Sequence, residues 1–369
     1  MEKGAAPNLN DTHIRSSTSV VYAHYVRTFA AIAVVIMHST GESLQQFRSE
    51  QPNNPEWLAA ITFYSLLRWA SPFFIMISGA FLLNPKKMES ISDFLKKRFT
   101  KVVVPFLFWA FIYITYDNRG AFVTLKFPDW GYLYQKVVHE DVYYHLWFIS
   151  MILSLYFLTP IFRIFTRHAS RTEIEYFLGL AFVVTTVQHF VPNVFTIKYV
   201  GWLGYIGFYV LGYYLSTFAI TRKKWIYGLA LLMPVVTFIG SHYLAIQKGS
   251  YDDKVFVYFS PNVVLISFAF YLFIKDTNWS AFASRFPRLD RFVHYFSDIS
   301  FGIYFVHVLF IDLLKNYLPY GAKIVPTCFI YYPVSPFLGI LLQAALVLTI
   351  SFSTISLLKK IPFIRRIVL

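Results

Sequence analysis

Five ionisable side chains lie in stretches otherwise apolar enough to enter a membrane. Arg27 and His38 sit in "YVRTFAAIAVVIMHSTGE" (25–42), Arg68 in "LLRWASPFFIMISGAFLL" (66–83), and His307 and Asp312 in "SDISFGIYFVHVLFIDLL" (297–314). Histidine, with an unperturbed pKa of about 6.5, is suited to taking up and releasing a proton near neutrality. A guanidinium grips phosphate or carboxylate through a planar fork of donors. A base and arginines of this kind could move a proton at a bound group and hold an anionic ligand such as a phosphate. Ionisable residues inside a span are costly and mark functional sites by default. Plainer readings stay open beside this one. Arg27 can be an anchor that snorkels to headgroups, His38 an interhelical hydrogen-bonder, and Pro72, Ser78 and Gly79 parts of a kinked packing helix.

The spacing constrains the elements that carry these residues. Arg27 and His38 are eleven residues apart, which on a helix is about 20° past three full turns and about 16 Å along the axis. One face of one helix therefore carries both, with Arg27 near one surface and His38 deeper. Arg68 lies well inside its apolar run, too deep to snorkel comfortably, and calls for an anionic partner. Asp312, the one acid deep in an apolar run, is a candidate; without that pairing, a bound anionic ligand such as a phosphate would satisfy Arg68. His307 is expected near mid-membrane, level with His38.

Composition places the chain in the membrane. Of its 369 residues 57% are hydrophobic, 20% aromatic and only 14% charged, against about a quarter charged in a soluble protein. About 20 apolar residues cross a bilayer, and ten segments qualify, near 21–43, 58–83, 99–116, 144–163, 174–191, 199–219, 225–246, 255–274, 298–318 and 334–357. The expected fold is an all-α integral membrane bundle of about ten transmembrane helices: a tail over 1–20, the helical domain over 21–358, and a basic tail over 359–369. The N-terminus lacks the ordered basic, apolar and small-residue regions of a cleaved signal, so a retained signal-anchor helix is expected. The single Cys328 excludes an internal disulfide and any paired-cysteine metal motif.

The net charge of +14 is a topology signal. Lys3 and Arg15 together with alternate linkers from Lys86–Lys101 to the tail Lys359–Arg366 make 22 of the 33 Lys and Arg; the opposite side carries nine. Basic residues stay on the cytoplasmic side, so both termini are expected there, and nucleic-acid binding loses its support.

Five stretches in register, the Arg27–His38 pair, "RWASPFFIMISGAFLL", "FLKKRFTKVVVPF" (94–106), "HLWFI" (145–149) and "SFGIYFVHVLF", resemble the signature of the membrane acyltransferase 3 family, in its polysaccharide O-acetyltransferase branch. That resemblance implies a multi-pass enzyme of the bacterial cytoplasmic (inner) membrane. It would move an acyl group, acetyl foremost, from cytoplasmic acetyl-CoA to a sugar hydroxyl of a surface polysaccharide or its lipid-linked precursor. It implies His38 as base, Arg27 as a holder of the acyl-CoA donor, and Arg68 in a second motif lining the same cavity. Lys97, Arg98 and Lys101 join the arginines on the donor side, while Ser78, His145, Trp147, Tyr304 and His307 are candidate substrate contacts. The partners are then acyl-CoA, the glycan acceptor and membrane lipids, with no metal. Direct transfer and an acyl-histidine relay both remain open. A transporter of lipid-linked glycans is the competing class, weakened by the scarcity of acids in the spans, which argues against cation or proton coupling.

Overall fold

The computed structural model describes residues 9–44, 47, 49–84, 89–120, 129–138, 142–191, 201–317 and 335–368. These residues are helical with connecting turns, and no strand occurs among them. The helices in order are α1 (Leu9–Ser39), α2 (Pro55–Leu67), α3 (Ala70–Leu82), α4 (Ile91–Arg98), α5 (Val104–Asp117), α6 (Trp130–Val138), α7 (Trp147–His168) and α8 (Arg171–Phe190). They continue as α9 (Gly201–Thr217), α10 (Lys223–Lys248), α11 (Pro261–Asp276), α12 (Trp279–Arg285), α13 (Pro287–Tyr317), α14 (Pro336–Leu358) and α15 (Pro362–Val368). Seven stretches among the described residues are long and apolar enough to cross a membrane: Val21–Ser39, Pro55–Leu82, Ile91–Asp117, Trp147–His168, Lys223–Lys248, Pro287–Lys315 and Pro336–Leu358. The chain is an integral membrane protein.

The other three expected segments are helical but fall short of that measure. α9 and α11 have 17 and 16 residues, and α8 opens with Arg171, Glu173 and Glu175. Cys328 and the start of the last expected segment at 334 lie outside the described residues. The expected tails are partly structured: α1 already begins at Leu9, and α15 packs back on α5 with Val368 buried.

Three boundaries differ from the sequence expectation in ways that shape the site. First, α1 stops at Ser39 rather than near 43, because Gly41 turns the chain with φ 61, a left-handed conformation glycine adopts without penalty. His38 therefore stands in the last turn of its helix. Second, the expected span over 58–83 is two helices broken at Arg68–Trp69. Pro72 has no N–H to offer the carbonyl four residues earlier, that of Arg68. The Trp69 indole donates to the neighbouring Leu66 carbonyl at 2.7 Å. Third, residues 251–260 are not helical. The Asp252 carboxylate accepts from the Lys254 N–H at 2.9 Å, the Ser260 hydroxyl donates to the Lys254 carbonyl at 2.7 Å, and the Asn262 amide donates to the Val255 carbonyl at 2.8 Å. Pro261 also disfavours a helical conformation in the residue before it. Irregular backbone is tolerated at membrane depth only where protein covers it, and Phe256, Tyr258, Phe259 and Ser260 are buried.

α1 is the hub. It packs on α13, α3, α14, α2 and α11. Thr28 donates to the Val293 carbonyl at 3.1 Å, and ten residues further along α1 His38 meets His307 at 2.7 Å. Contacts that advance together along both chains mean α1 and α13 run parallel. α3 and α9 cross with their backbones in contact: a Cβ at Gly79 would overlap the Tyr209 carbonyl, and one at Gly212 the Met76 carbonyl. Small residues permit such approach where helices pack in lipid. At the basic end, Arg163 donates from Nε to the Leu82 carbonyl at 2.7 Å and pairs with Glu89 at 3.0 Å, which also holds Lys97 at 3.1 Å. Desolvation opposes ionisation of Glu89, but the hydrogen bonds from Arg163 and Lys97 prevail and hold its carboxyl below the usual carboxylate range. Stability from this cluster is therefore present above the ordinary glutamate pKa and is lost as pH falls through the depressed value.

Gly212→Ala should destabilise the protein by about 1–3 kcal/mol or more, since both backbones must part. Gly228→Ala, where an added Cβ meets nothing within 4 Å, should be neutral or stabilising by up to about 1 kcal/mol. Thermal unfolding of both variants in detergent checks the contrast; equal losses would remove the crossing argument.

Candidate active site

Three histidines from three distant parts of the chain come together near the end of α1. His38 Nδ1 lies 2.7 Å from His307 Nε2, with the rings inclined by only 8° and their centroids 5.0 Å apart. That centroid separation is the nitrogen–nitrogen distance plus about a ring radius at each end, so the rings lie edge to edge in a common plane and share an in-plane hydrogen bond. His307 Nδ1 faces the carbonyls of Tyr304 at 2.7 Å and Ile303 at 3.2 Å. Carbonyls only accept, so Nδ1 carries the proton and, in the neutral ring, Nε2 is left as an acceptor. His38 must then donate from Nδ1, and its Nε2 keeps a lone pair. No described residue hydrogen-bonds that atom.

His145, fully buried, stands beside the pair, its ring centroid 5.4 Å from that of His307 and 6.5 Å from that of His38. Neither of its ring nitrogens has a hydrogen-bond partner of acceptable geometry among the described residues. Its backbone is held instead: Tyr304, from α13, donates to the His145 carbonyl. Tyr113 ties the same region to α13, donating to the Phe305 carbonyl at 2.7 Å and accepting from the Leu309 N–H at 3.0 Å. The exposed Tyr144 meets His38 edge-on at 5.5 Å between centroids.

A small cavity of about 40 Å³ opens against this group. Its walls include His38, His145, Trp147, Tyr304 and Arg68. Arg68 reaches it from the α2–α3 break. Nε donates to the Phe256 carbonyl, and the guanidinium lies over the Tyr258 ring at 4.1 Å and beside Tyr64 at 5.7 Å. Both rings give cation–π stabilisation. No carboxylate among the described residues pairs with Arg68, and Asp312 accepts from Tyr143 instead. The non-helical 251–260 segment thus supplies two of the three groups that hold the guanidinium, the Phe256 carbonyl and the Tyr258 ring, and Trp147 and Tyr205 extend the aromatic wall from Tyr258. The volume suits the reacting atoms of two substrates, while the bodies of both must lie outside it.

The other candidate residues separate from this group. Arg27 lies toward the basic end, with Tyr156, Asp298 and Tyr271 as electrostatic neighbours. Arg98 stacks near Phe94 and Tyr156, its buried Nε without a partner, at the π-helical turn Phe99–Val103; such turns recur at functional sites. Lys97 is tied to Glu89, and Lys101 is exposed. The Ser78 hydroxyl turns back to the Phe74 carbonyl at 2.8 Å and does not line the cavity. Sequence reasoning passed over Tyr144 and Tyr258. Tyr144 immediately precedes "HLWFI", and only the fold brings Tyr258 under Arg68.

Histidines, an unpaired guanidinium and helices built for a bilayer define a membrane-embedded transferase-like centre, and comparison with known proteins agrees. The profile of the Acyltransferase domain family matches residues 20–356, so the chain belongs to the membrane acyltransferase 3 family. It is also 26% identical over 322 residues to the "Putative membrane-bound acyltransferase YfiQ" of Bacillus subtilis (strain 168), covering 77% of this chain and 79% of that protein. No solved structure matches. The protein is a membrane acyltransferase of that family.

If His307 positions His38, His307→Leu should lower turnover by about 10²–10⁴-fold, as when a base loses the group that fixes its tautomer, with little change in KM. His307→Gln, whose amide oxygen can accept the same hydrogen bond, should recover part of the loss. Steady-state kinetics on the two variants decide this; equal activity in both would leave His307 a packing residue.

Proposed function

We propose that this protein transfers an acyl group, acetyl foremost, from acetyl-CoA to a hydroxyl of a sugar in a surface polysaccharide or its lipid-linked precursor. One observation carries the reading: His38, whose Nε2 has no hydrogen-bond partner among the described residues, and Arg68, which has no carboxylate partner among them, line one cavity. His38 Nε2 takes the proton of the acceptor hydroxyl as its oxygen attacks the thioester carbonyl. Arg68 donates to the oxyanion that forms, in a site closed enough for the interaction to be strong. Collapse breaks the C–S bond, and His38 returns the proton to the departing thiolate. His307 holds the tautomer throughout. A histidine base that serves both proton transfers needs no metal.

The donor enters from the basic end in this reading. Arg27, Arg98, Lys97 and Lys101 bind the phosphates of CoA, and the pantetheine arm follows α1 inward for about 16 Å to His38. The acceptor approaches from the opposite side, where His145, Trp147, Tyr304 and the exposed Tyr144 present polar and aromatic surface. Ser78 serves the packing of α3.

Topology belongs to the same proposal. If only the seven long stretches crossed, α1 and the sixth of them, α13, would run in opposite directions; they run parallel. Crossing by α8, α9 and α11 as well gives ten spans, both termini cytoplasmic, and the basic linkers on the donor side of a bacterial inner membrane.

Inverted membrane vesicles given radiolabelled acetyl-CoA test the chemistry. Label should enter a glycan or lipid fraction with the wild type and fall by at least about 10³-fold with His38→Ala. Equal labelling by both would refute the base assignment, and none by either would shift the reading toward transport. Cysteines placed at Arg222 and Lys359, in a chain with Cys328 replaced, should react with an impermeant reagent only from the cytoplasmic side.

A further inference from the structure

Away from the histidines, a groove of about 690 Å³ runs between α8, α9 and α11. α8 lines it from Arg171 to Val187, sixteen residues or about 24 Å of a helix axis, within a hydrocarbon core about 30 Å thick. Its walls are almost wholly apolar, from side chains such as Leu178, Phe182, Val264 and Phe268. The polar side chains on its wall are few, and two of them, Arg171 and Glu175, pair with each other at 2.8 Å; along the rest, hydrocarbon is the matching occupant at membrane depth.

Gly179 lies on the groove wall in the interior of α8. A glycine there costs about 1 kcal/mol against alanine, yet a Cβ at this position would meet no protein atom within 4 Å. Nothing in the protein requires the bare backbone. A chain lying along the groove does require it.

The mouth of the groove is charged. Thr221 and Ile226 line it on either side of Arg222 and Lys224. Both cations are exposed and have no ion pair among the described residues, whereas Lys223 is taken by Asp276. Arg222 is also the N-cap of the 26-residue α10 and makes no capping hydrogen bond from its side chain. The first N–H groups of α10 thus have no side-chain cap and lie in the same stretch of chain as the mouth, a position that favours negative charge.

We propose that this groove binds one anionic glycerophospholipid, an acyl chain along α8 and the phosphate at the Arg222–Lys224 mouth. The site is separate from the acyl-transfer centre and does not depend on the chemistry proposed there, but it rests on the proposed topology in which α8, α9 and α11 cross the membrane. A long apolar slot that ends in unpaired cations and open helix N–H groups complements a molecule with an anionic head and a hydrocarbon tail. A free phosphate would use only the mouth, and a neutral lipid only the slot.

The test is native mass spectrometry and thermal unfolding of the full chain in detergent. Phosphatidylglycerol is titrated against phosphatidylcholine, with glycerol phosphate as the chainless probe. The wild type should retain one phosphatidylglycerol and be stabilised by it in preference to phosphatidylcholine. Arg222→Glu with Lys224→Glu should weaken phosphatidylglycerol by about tenfold or more and abolish the preference. Gly179→Trp should lose binding while unfolding like the wild type without lipid. Gly228→Trp, whose added side chain also enters open space, should bind normally; Gly179→Leu serves if the tryptophan variant fails to fold. Undiminished binding in the groove-filling variant, equal affinity for the two lipids, or equal stabilisation by glycerol phosphate would each overturn the proposal. So would co-purification of a lipid-linked sugar in place of the phospholipid.

Discussion

The hydrogen bond between His38 and His307 determines how two ends of the chain must meet. It joins the last turn of α1 to the middle of α13, 269 residues away in sequence. A 2.7 Å in-plane contact between imidazoles tolerates little displacement, so the two helices must lie side by side, parallel, and in one register. The rest of the bundle supports that alignment. Tyr25, midway along α1, donates to Asp290 in the first turn of α13 at 2.6 Å, and Tyr304 and Tyr113 tie α13 to the wall that carries His145. Two backbone carbonyls, which can only accept, fix the tautomer of His307.

Arg68 shows how a bilayer protein accommodates a charge it needs. An isolated guanidinium in hydrocarbon would be too costly, and a paired carboxylate would neutralise the charge that makes it useful. The protein does neither. It breaks the helix at Pro72, offers a backbone carbonyl from an irregular buried segment, and covers the guanidinium with tyrosine rings. Part of the donor fork is thereby satisfied, and the cavity side remains for a ligand. Glu89 and Arg163 illustrate the opposite choice at the basic end, where a direct ion pair holds a connection together.

Residues of the candidate site fall into two groups, an arrangement that suits the proposed reaction between two substrates of different chemistry. Arg27 and Arg98 lie toward the basic end among aromatic rings, while His38, His145 and Arg68 line the cavity near the end of α1. The Gly79–Gly212 crossing lets α3 and α9 close to backbone contact, which sets α3, and with it the Arg68 break at its start, firmly against the bundle.

Much of this was readable in the sequence. The class followed from the scarcity of charge and the length of the apolar runs, because a bilayer imposes both. Arg27 and His38 could be placed on one helical face from spacing alone, and Pro72 announced a break. Their expense in a span marked His38, Arg68 and His307 as functional. Sequence could not show that the break falls at Arg68 itself, that 251–260 leaves the helix, or that Ser78 points back into its own turn. It left Asp312 as a candidate partner for Arg68, where the fold gives that acid to Tyr143. Those outcomes depend on which groups compete for a given carbonyl or cation once helices pack, and no local pattern encodes that competition. The sequence by itself determined the membrane fold and the chemical inventory, since composition and periodicity respond to the solvent. Only the tertiary structure decided which nitrogen of His38 is left without a partner among the described residues, because that rests on a proton placed on His307 by carbonyls from another part of the chain.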